Sequence, residues 1–304
     1  MKIFVLTGPT GVGKSEVAMA LAEKHRLEII SADSRQIYRY FDIGTAKPTP
    51  EQRQRIVFHL IDFLEPEQSY SAGDFARDAR RVITRLLKEG RRFIIVGGSN
   101  FYLRALFKPL FNLPRANPRI RERFSSLSTG SLYQRLMAVD PKRAKELHPN
   151  DRQRVLRALE VYELTGKPFS QIAQQPTDEA IFLPVYAVLT MEREKLYQRI
   201  NERFDKMMAA GLLEEVHRLK KMGYGSNIPA AQGYGYAELF SFLEGKIGLD
   251  EALMLAKKRT REFAKRQLTW LRALAGAHWF EFTNVSDVTR KIEPLLLDLL
   301  QGRE

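Results

Sequence analysis

An α/β fold built on a doubly wound parallel sheet is predicted by three features of the 304-residue sequence. Short β-rich runs alternate with helical stretches through the first third of the chain, the pattern of a parallel sheet with crossover helices. A Gly-rich loop fitting G-x-x-x-x-G-K-[ST] joins the first apolar run to the first amphipathic one. Composition then changes after Leu110, where Asn112-Leu-Pro-Arg-Ala-Asn-Pro118 breaks regular structure and basic helical sequence follows. Together these describe a P-loop NTPase-like core over 1–110 and 181–304, a helical insertion at 111–180 and additional C-terminal helices.

The elements follow in order. Lys2-Ile-Phe-Val-Leu-Thr7 reads as the first strand and Glu16 to Glu23 as the helix that leaves the loop. Further strands are predicted at 27–32, 57–63 and 93–96, each rich in Ile, Val, Phe or Leu. Between the last two, Phe75, Ala79, Val82, Ile83, Leu86 and Leu87 recur at helical spacing, with Gly90 as the stop. In the insertion, Asn150 or Asp151 can cap a helix from Arg152 to Thr165 that ends at Gly166-Lys-Pro168. The run Phe182–Leu189 returns as a strand, and the remainder is predicted helical, over 192–209, 251–274 and the residues after Thr283.

Composition bounds the function. The chain has no cysteine, which excludes disulfides, Cys-based zinc sites and a catalytic thiol, and suits a reducing cytoplasm. No stretch of about 18 apolar residues occurs, so no membrane association is expected. The net charge of +13 is concentrated: residues 115–157 hold 11 Lys/Arg against 4 Asp/Glu, and 257–272 hold 7 against 1. The rest of the chain balances at 31 against 31. Two such segments in an otherwise neutral protein are the footprint of a polyanion larger than a nucleotide, with nucleic acid the leading candidate.

The loop comprises Gly8, Pro9, Thr10, Gly11, Val12, Gly13, Lys14 and Ser15. Its backbone N–H groups and the helix N-terminus suit a diphosphate, Lys14 would bring charge to the terminal phosphate, and the Ser15 hydroxyl would hold Mg²⁺. Most nucleotide hydrolases also carry a strand that ends in a metal-holding Asp. Here Phe93-Ile-Ile-Val96 ends in Gly97-Gly98, and the acid follows the second strand instead, at Asp33. The carboxyl ends of neighbouring parallel strands share a crevice, which places Asp33 opposite the phosphates. There it could bind metal through water, cap the next helix or accept a proton from a nucleophile.

At this point the chain resembles a known family. Gly-Pro-Thr-x-x-Gly-Lys-Ser at 8–15, Ser31-Ala-Asp-Ser34 with Gln36 and Tyr38, Asp42-Ile-Gly-Thr-Ala-Lys-Pro48 and Val96-Gly-Gly are similar to the tRNA dimethylallyltransferases. So are Asn150-Asp-x-Gln153-Arg154 with Arg157-Ala-Leu-Glu160, Arg199-x-x-x-Arg203 and Ala264-Lys-Arg-Gln-Leu-Thr-Trp270. Seven strings in one order span nearly the whole chain.

The resemblance implies transfer of a dimethylallyl group from dimethylallyl diphosphate to N6 of adenosine 37 in the tRNA anticodon stem-loop, with Mg²⁺ and release of diphosphate. It assigns Asp33 as general base, Thr10 near the reacting centre and Arg203 on the diphosphate. It implies tRNA contacts at Asp33, Ser34, Arg35, Gln36, Ser99, Arg121 and the stretch Gln153, Arg154, Val155, Leu156 and Arg157. A cytoplasmic monomer is expected. Departures from the family pattern are Gly11-Val12 in the loop, Asn100 after Ser99, and Ala237 where a basic residue is usual. The alternative is a small-molecule or nucleoside kinase with ATP in the loop, which leaves both basic segments without a task.

Overall fold

The computed structural model describes residues 1–109, 111, 113–174 and 182–301. Two compact units are present, Met1–Phe107 with Ile181–Glu304, and Lys108–Ala180. The first opens with β1 (Lys2–Thr7), α1 (Lys14–His25), β2 (Glu28–Ser31), α2 (Pro50–Arg55), β3 (Phe58–His59), α3 (Ala72–Lys88), β4 (Phe93–Val96) and α4 (Asn100–Leu106). The second carries α5 (Pro118–Ser125), α6 (Thr129–Val139), α7 (Pro141–Glu146), α8 (Arg152–Thr165) and α9 (Phe169–Ile172). The first unit resumes with β5 (Leu183–Thr190), α10 (Arg193–Ala209), α11 (Leu212–Lys221), α12 (Tyr236–Leu243), α13 (Leu249–Leu271), β6 (His278–Glu281) and α14 (Val285–Leu300).

The six strands form one sheet in the order β3-β2-β4-β1-β5-β6, and every pairing is parallel. Successive side chains of a strand point to opposite faces. Phe4 and Leu6 therefore join a core with Val17 and Leu21 of α1 and Ile292 and Leu296 of α14. Ile3 and Val5 join a second core with Phe75, Ala79 and Ile83 of α3 and Leu103 of α4. Both faces are covered, which is why the strands read as continuous apolar runs. A third cluster packs Phe41, Phe204, Leu212, Leu239 and Phe240 among the C-terminal helices. The second unit has its own core around Phe124, Leu132, Leu136, Val155 and Leu159.

Three elements depart from the sequence expectation. β4 lies between β1 and β2, so the strands leading to the phosphate loop and to Asp33 are not adjacent. The strand expected over 57–63 is confined to Phe58–His59, because Leu60 and Asp62 take left-handed backbone angles (φ 59° and 58°) that a ladder cannot accommodate. Asp62 turns there to meet Lys47 Nζ at 2.8 Å. The C-terminal region, expected to be wholly helical, contributes the edge strand β6, whose four residues are mostly exposed and show no alternation. Asp151 caps α8, its Oδ1 accepting the Arg154 N–H at 3.2 Å, and Gly166 closes the helix at φ 66°. Among the described residues, no helix is long and apolar enough to cross a membrane.

Candidate active site

The loop between β1 and α1 turns tightly at Gly13 (φ 107°), where a Cβ would collide with the Phe282 ring. Val12 fills the core beneath and is fully buried. Arg199 of α10 braces the loop from outside: its Nε donates to the Gly11 carbonyl at 3.2 Å, and its guanidinium lies 4.7 Å from the centre of the Phe282 ring. Lys14 is half-buried, its Nζ donating to the Pro9 carbonyl at 2.8 Å, while Ser15 is exposed.

The glycines that end β4 explain how Asp33 reaches this loop despite the intervening strand. A Cβ on Gly97 would overlap the Ala32 carbonyl of the β2 loop. One on Gly98 would lie 3.2 Å from the Gly8 carbonyl and 3.6 Å from Lys14 Nζ. Only residues without side chains let both loops close over the end of β4. Ser99, next in line, accepts the Ser34 N–H at 2.9 Å and donates to the Ser34 hydroxyl at 3.2 Å, fixing the turn that carries Asp33. In that turn Asp33 Oδ1 accepts the N–H groups of Arg35 (2.8 Å) and Gln36 (3.3 Å). The carboxylate is thus oriented through one oxygen, and among the described residues the other has no hydrogen bond.

A cavity of about 220 Å³ opens between these loops and helices α10, α12 and α13. Thr10, Gly11, Lys14, Ser15, Asp33, Ser34, Arg35, Gln36, Ser99 and Arg203 line its polar part. Ile200, Phe204, Met207, Tyr236 and Phe263 line its apolar part, and Thr45, Thr260 and Gln267 are also on its wall. Burial pushes the Lys14 ammonium down to about 8, opposed by Asp33 and reinforced by Arg203, so the three groups are mutual electrostatic neighbours. Burial likewise lowers Arg203 from its ordinary value, with Asp33 and Glu16 acting against it. Arg203 has no hydrogen-bond or ion-pair partner among the described residues, and such a cation in a half-closed cavity favours an anionic ligand.

The wall carrying Gly44 and Thr45 is held by buried charges that the sequence reading did not assign. Glu215 accepts the N–H groups of Asp42 (3.2 Å) and Ile43 (3.0 Å) and the hydroxyl proton of Tyr236, which itself accepts the Gly44 N–H at 3.0 Å. Lys47 is buried and donates to Asp42, Asp62 and the Tyr38 carbonyl at 2.6–2.8 Å. Gln36 Nε2 reaches the Thr45 and Ala46 carbonyls from the Asp33 turn. Lys47 lies in a motif that resembles the family, but only the fold shows that its task is structural.

The remaining predicted contacts lie in the second unit. On α8, Gln153 and Arg154 are exposed, whereas the Val155 side chain is fully buried in the core and Leu156 is partly buried against it. Arg121 and Arg157 converge on the fully buried Glu160, with contacts of 3.0 Å and 2.7 Å. In the other basic segment, Lys257, Arg259 and Arg261 are taken by Asp205, Glu238 and Asn201 at 2.5–2.7 Å; Lys258, Lys265 and Arg266 are exposed on α13, Arg266 donating to the Tyr234 hydroxyl at 2.7 Å.

The donor set bears on the metal. No group of three or more His, Cys, Asp or Glu side chains capable of holding an ion exists among the described residues. An exposed Ser15 hydroxyl beside Lys14, with Asp33 across the cavity, instead fits an ion carried in largely by diphosphate oxygens.

The parallel sheet, the phosphate loop and a carboxylate facing two cations across one cavity define an α/β group-transfer enzyme of the phosphate-loop class. The sequence model of the family described as IPP transferase matches residues 36–274. Over 283 residues the chain is 43% identical to tRNA dimethylallyltransferase 1 of Citrifermentans bemidjiense, covering 93% of this chain and 92% of that one. It is 41% identical over 303 residues to the tRNA dimethylallyltransferase of Thermotoga maritima, covering 98% and 99%. Among solved structures it is similar to the tRNA isopentenylpyrophosphate transferase of Bacillus halodurans (TM-score 0.71, 36% identity, 99% and 97% covered). It is also similar to a eukaryotic dimethylallyltransferase acting on tRNA (TM-score 0.81, 28% identity, 100% and 80% covered). The chain belongs to the IPP transferase family, the tRNA dimethylallyltransferases.

Proposed function

We propose that this protein transfers the dimethylallyl group of dimethylallyl diphosphate to N6 of adenosine 37 in tRNA, releasing diphosphate. The observation that supports the reading is the grouping of Lys14, Arg203 and Asp33 around one cavity, two cations electrostatically coupled to an oriented carboxylate. Both relatives named by sequence are tRNA dimethylallyltransferases, and a kinase reading finds no support among them.

The chemistry divides between the two sides. As the allylic C1–O bond breaks, its electron pair goes to the diphosphate oxygen, where Lys14, Arg203 and the backbone N–H groups of Gly11, Gly13, Lys14 and Ser15 stabilise the growing negative charge. The lone pair of N6 forms the new N–C bond, and the N6 proton passes to Asp33. Thr10, which lines the cavity with Lys14, would contact the reacting end of the diphosphate. Magnesium, where bound, neutralises diphosphate charge; Ser15 would hold it directly and Asp33 through water. The apolar wall of Ile200, Phe204, Met207 and Phe263 suits the five-carbon group and excludes water from an electron-poor carbon.

The base must leave its stack to reach this cavity, so the RNA is an anticodon stem-loop with an extruded adenosine. Ser34, Arg35, Gln36 and Ser99 line the cavity where that base would enter, and Gln153 and Arg154 would be the contacts of the insertion, with Arg121 and Arg157 joining them only as far as their pairing with Glu160 leaves them available. A cytoplasmic monomer is the form proposed, the absence of cysteine suiting a reducing compartment.

One assay separates the readings. The protein is incubated with Mg²⁺, an A36-A37 stem-loop and radiolabelled dimethylallyl diphosphate, with labelled ATP in a parallel tube. Label on RNA in the first tube alone is expected; phosphate transfer from ATP would overturn the assignment. Asp33→Ala should lower turnover by about 10²–10⁴-fold while dimethylallyl diphosphate still binds, and near-normal turnover at saturation would remove Asp33 from the role of base.

A further inference from the structure

Gln267 is a neutral side chain on α13, 3% exposed, with no acid–base role. Its amide nonetheless spans the site. Oε1 accepts the Thr10 N–H at 2.8 Å, and Nε2 donates to the Gly98 carbonyl at 2.7 Å. Only one orientation of the amide satisfies both, because the reversed one sets N–H against N–H and oxygen against oxygen. Nothing in the local sequence of α13 requires a buried amide, since a leucine would continue the apolar stripe of Ala264 and Leu271.

The two partners belong to different halves of the chemistry. Thr10 lies in the loop that cradles the diphosphate. Gly98 leads into Ser99, which holds the Ser34 backbone and so the turn that orients Asp33. The fit is close: a Cβ on Gly98 would stand 2.5 Å from Gln267 Nε2. The spacing between the electrophile's cradle and the base is therefore set through one amide contributed by a third element.

We propose that Gln267 is a positioning residue, clamping the Thr10 and Gly98 backbones so that the diphosphate loop and the Asp33 turn stay in register for transfer. The proposal rests on the functional reading above for the identity of the electrophile. Removing the clamp leaves both loops attached to their strands but free to shift by fractions of an ångström. A misplacement of that order costs turnover more than affinity for the RNA.

Three substitutions test this. Gln267→Leu removes both bonds, Gln267→Glu keeps an acceptor for Thr10 but sets an anion against the Gly98 carbonyl, and Gln267→Asn is one methylene short. The measurements are kcat, the Kd of an anticodon stem-loop, the Kd of Mg-pyrophosphate and thermal melting. Gln267→Leu should lower kcat by about 10²-fold. It should weaken pyrophosphate about tenfold, the equivalent of one lost buried hydrogen bond, with stem-loop affinity unchanged. Gln267→Glu should recover towards wild type as pH falls, because the protonated carboxyl both accepts and donates as the amide does. Wild-type kcat in Gln267→Leu, or an equal loss of stem-loop binding and of melting temperature, would overturn the clamp. Should Gln267→Leu fail to fold, the pH profile of Gln267→Glu relative to wild type decides, and a flat ratio rejects the proposal. If the wild type itself transfers no prenyl group, the functional reading fails separately, and unchanged pyrophosphate affinity across the variants would still reject the clamp.

Discussion

Lys14 holds a positive charge where the protein alone disfavours one. Burial brings its pKa from 10.5 to about 8, a difference worth roughly 3 kcal/mol against folding when the group is charged in both states. The sign follows from the protons bound. Below pH 8 folded and unfolded chains are both protonated, and the cost is fully present. Between 8 and 10.5 only the unfolded chain holds the proton, so the cost fades as pH rises. Lys14→Met should therefore melt several degrees above wild type at pH 7, with the gain vanishing by about pH 10.5, while Mg-pyrophosphate binding is lost at every pH. Calorimetry across that range checks it, and a variant less stable at pH 7 would contradict the burial cost. Lys14 was legible in the sequence because its signal is contiguous with the loop that uses it. Gln267 was visible only as part of the string Ala264 to Trp270; its task was not, because its partners stand 257 and 169 residues away.

At the scale of elements, the end of β4 shows how one observation changes meaning in three dimensions. Gly97-Gly98 reads in sequence as a missing acid; in the fold it is the gap through which two loops from other strands meet. Helix α8 changes in a similar way. Its arginines read as a face for RNA, yet Arg157 spends its guanidinium on Glu160 and the Pro114 carbonyl. Arg121, Arg157 and the Asn117 N–H hold the Glu160 carboxyl below its usual range, against the opposing effect of burial. The stabilisation is present at neutral pH and fades as acid protonates the group. Arg157→Ala should destabilise α8 by about 1–3 kcal/mol, since it strips one partner from a buried carboxylate. Hydrogen exchange of α8 amides reads this directly, and unchanged protection would restore Arg157 to the surface. Glu160 four positions beyond Leu156 was visible in sequence, but its burial was not.

For the whole molecule, the 49 Lys and Arg overstate what is available to a polyanion. They include cations bound by the protein's own acids, among them Lys257 with Asp205, Arg259 with Glu238 and Lys47 with two aspartates. Exposed cations include Lys258, Lys265 and Arg154, the last 3.4 Å from Asp151 on the helix surface. Arg154→Ala should weaken stem-loop binding and reduce the slope of log K against log salt by about 1 if it meets a phosphate. Titration at several salt concentrations measures the slope, and an unaltered one removes Arg154 from the interface. The chain by itself determined the doubly wound class, the phosphate loop, Asp33 and the family, because each is written in contiguous residues whose periodicity or spacing is local physics. Tertiary structure alone decided that β4 separates the two loops, that β6 closes the sheet edge, that Gln267 joins the halves of the site, and which cations remain free. These depend on contacts between residues far apart in the chain, whose pairing is set by packing and burial and leaves no local pattern to read.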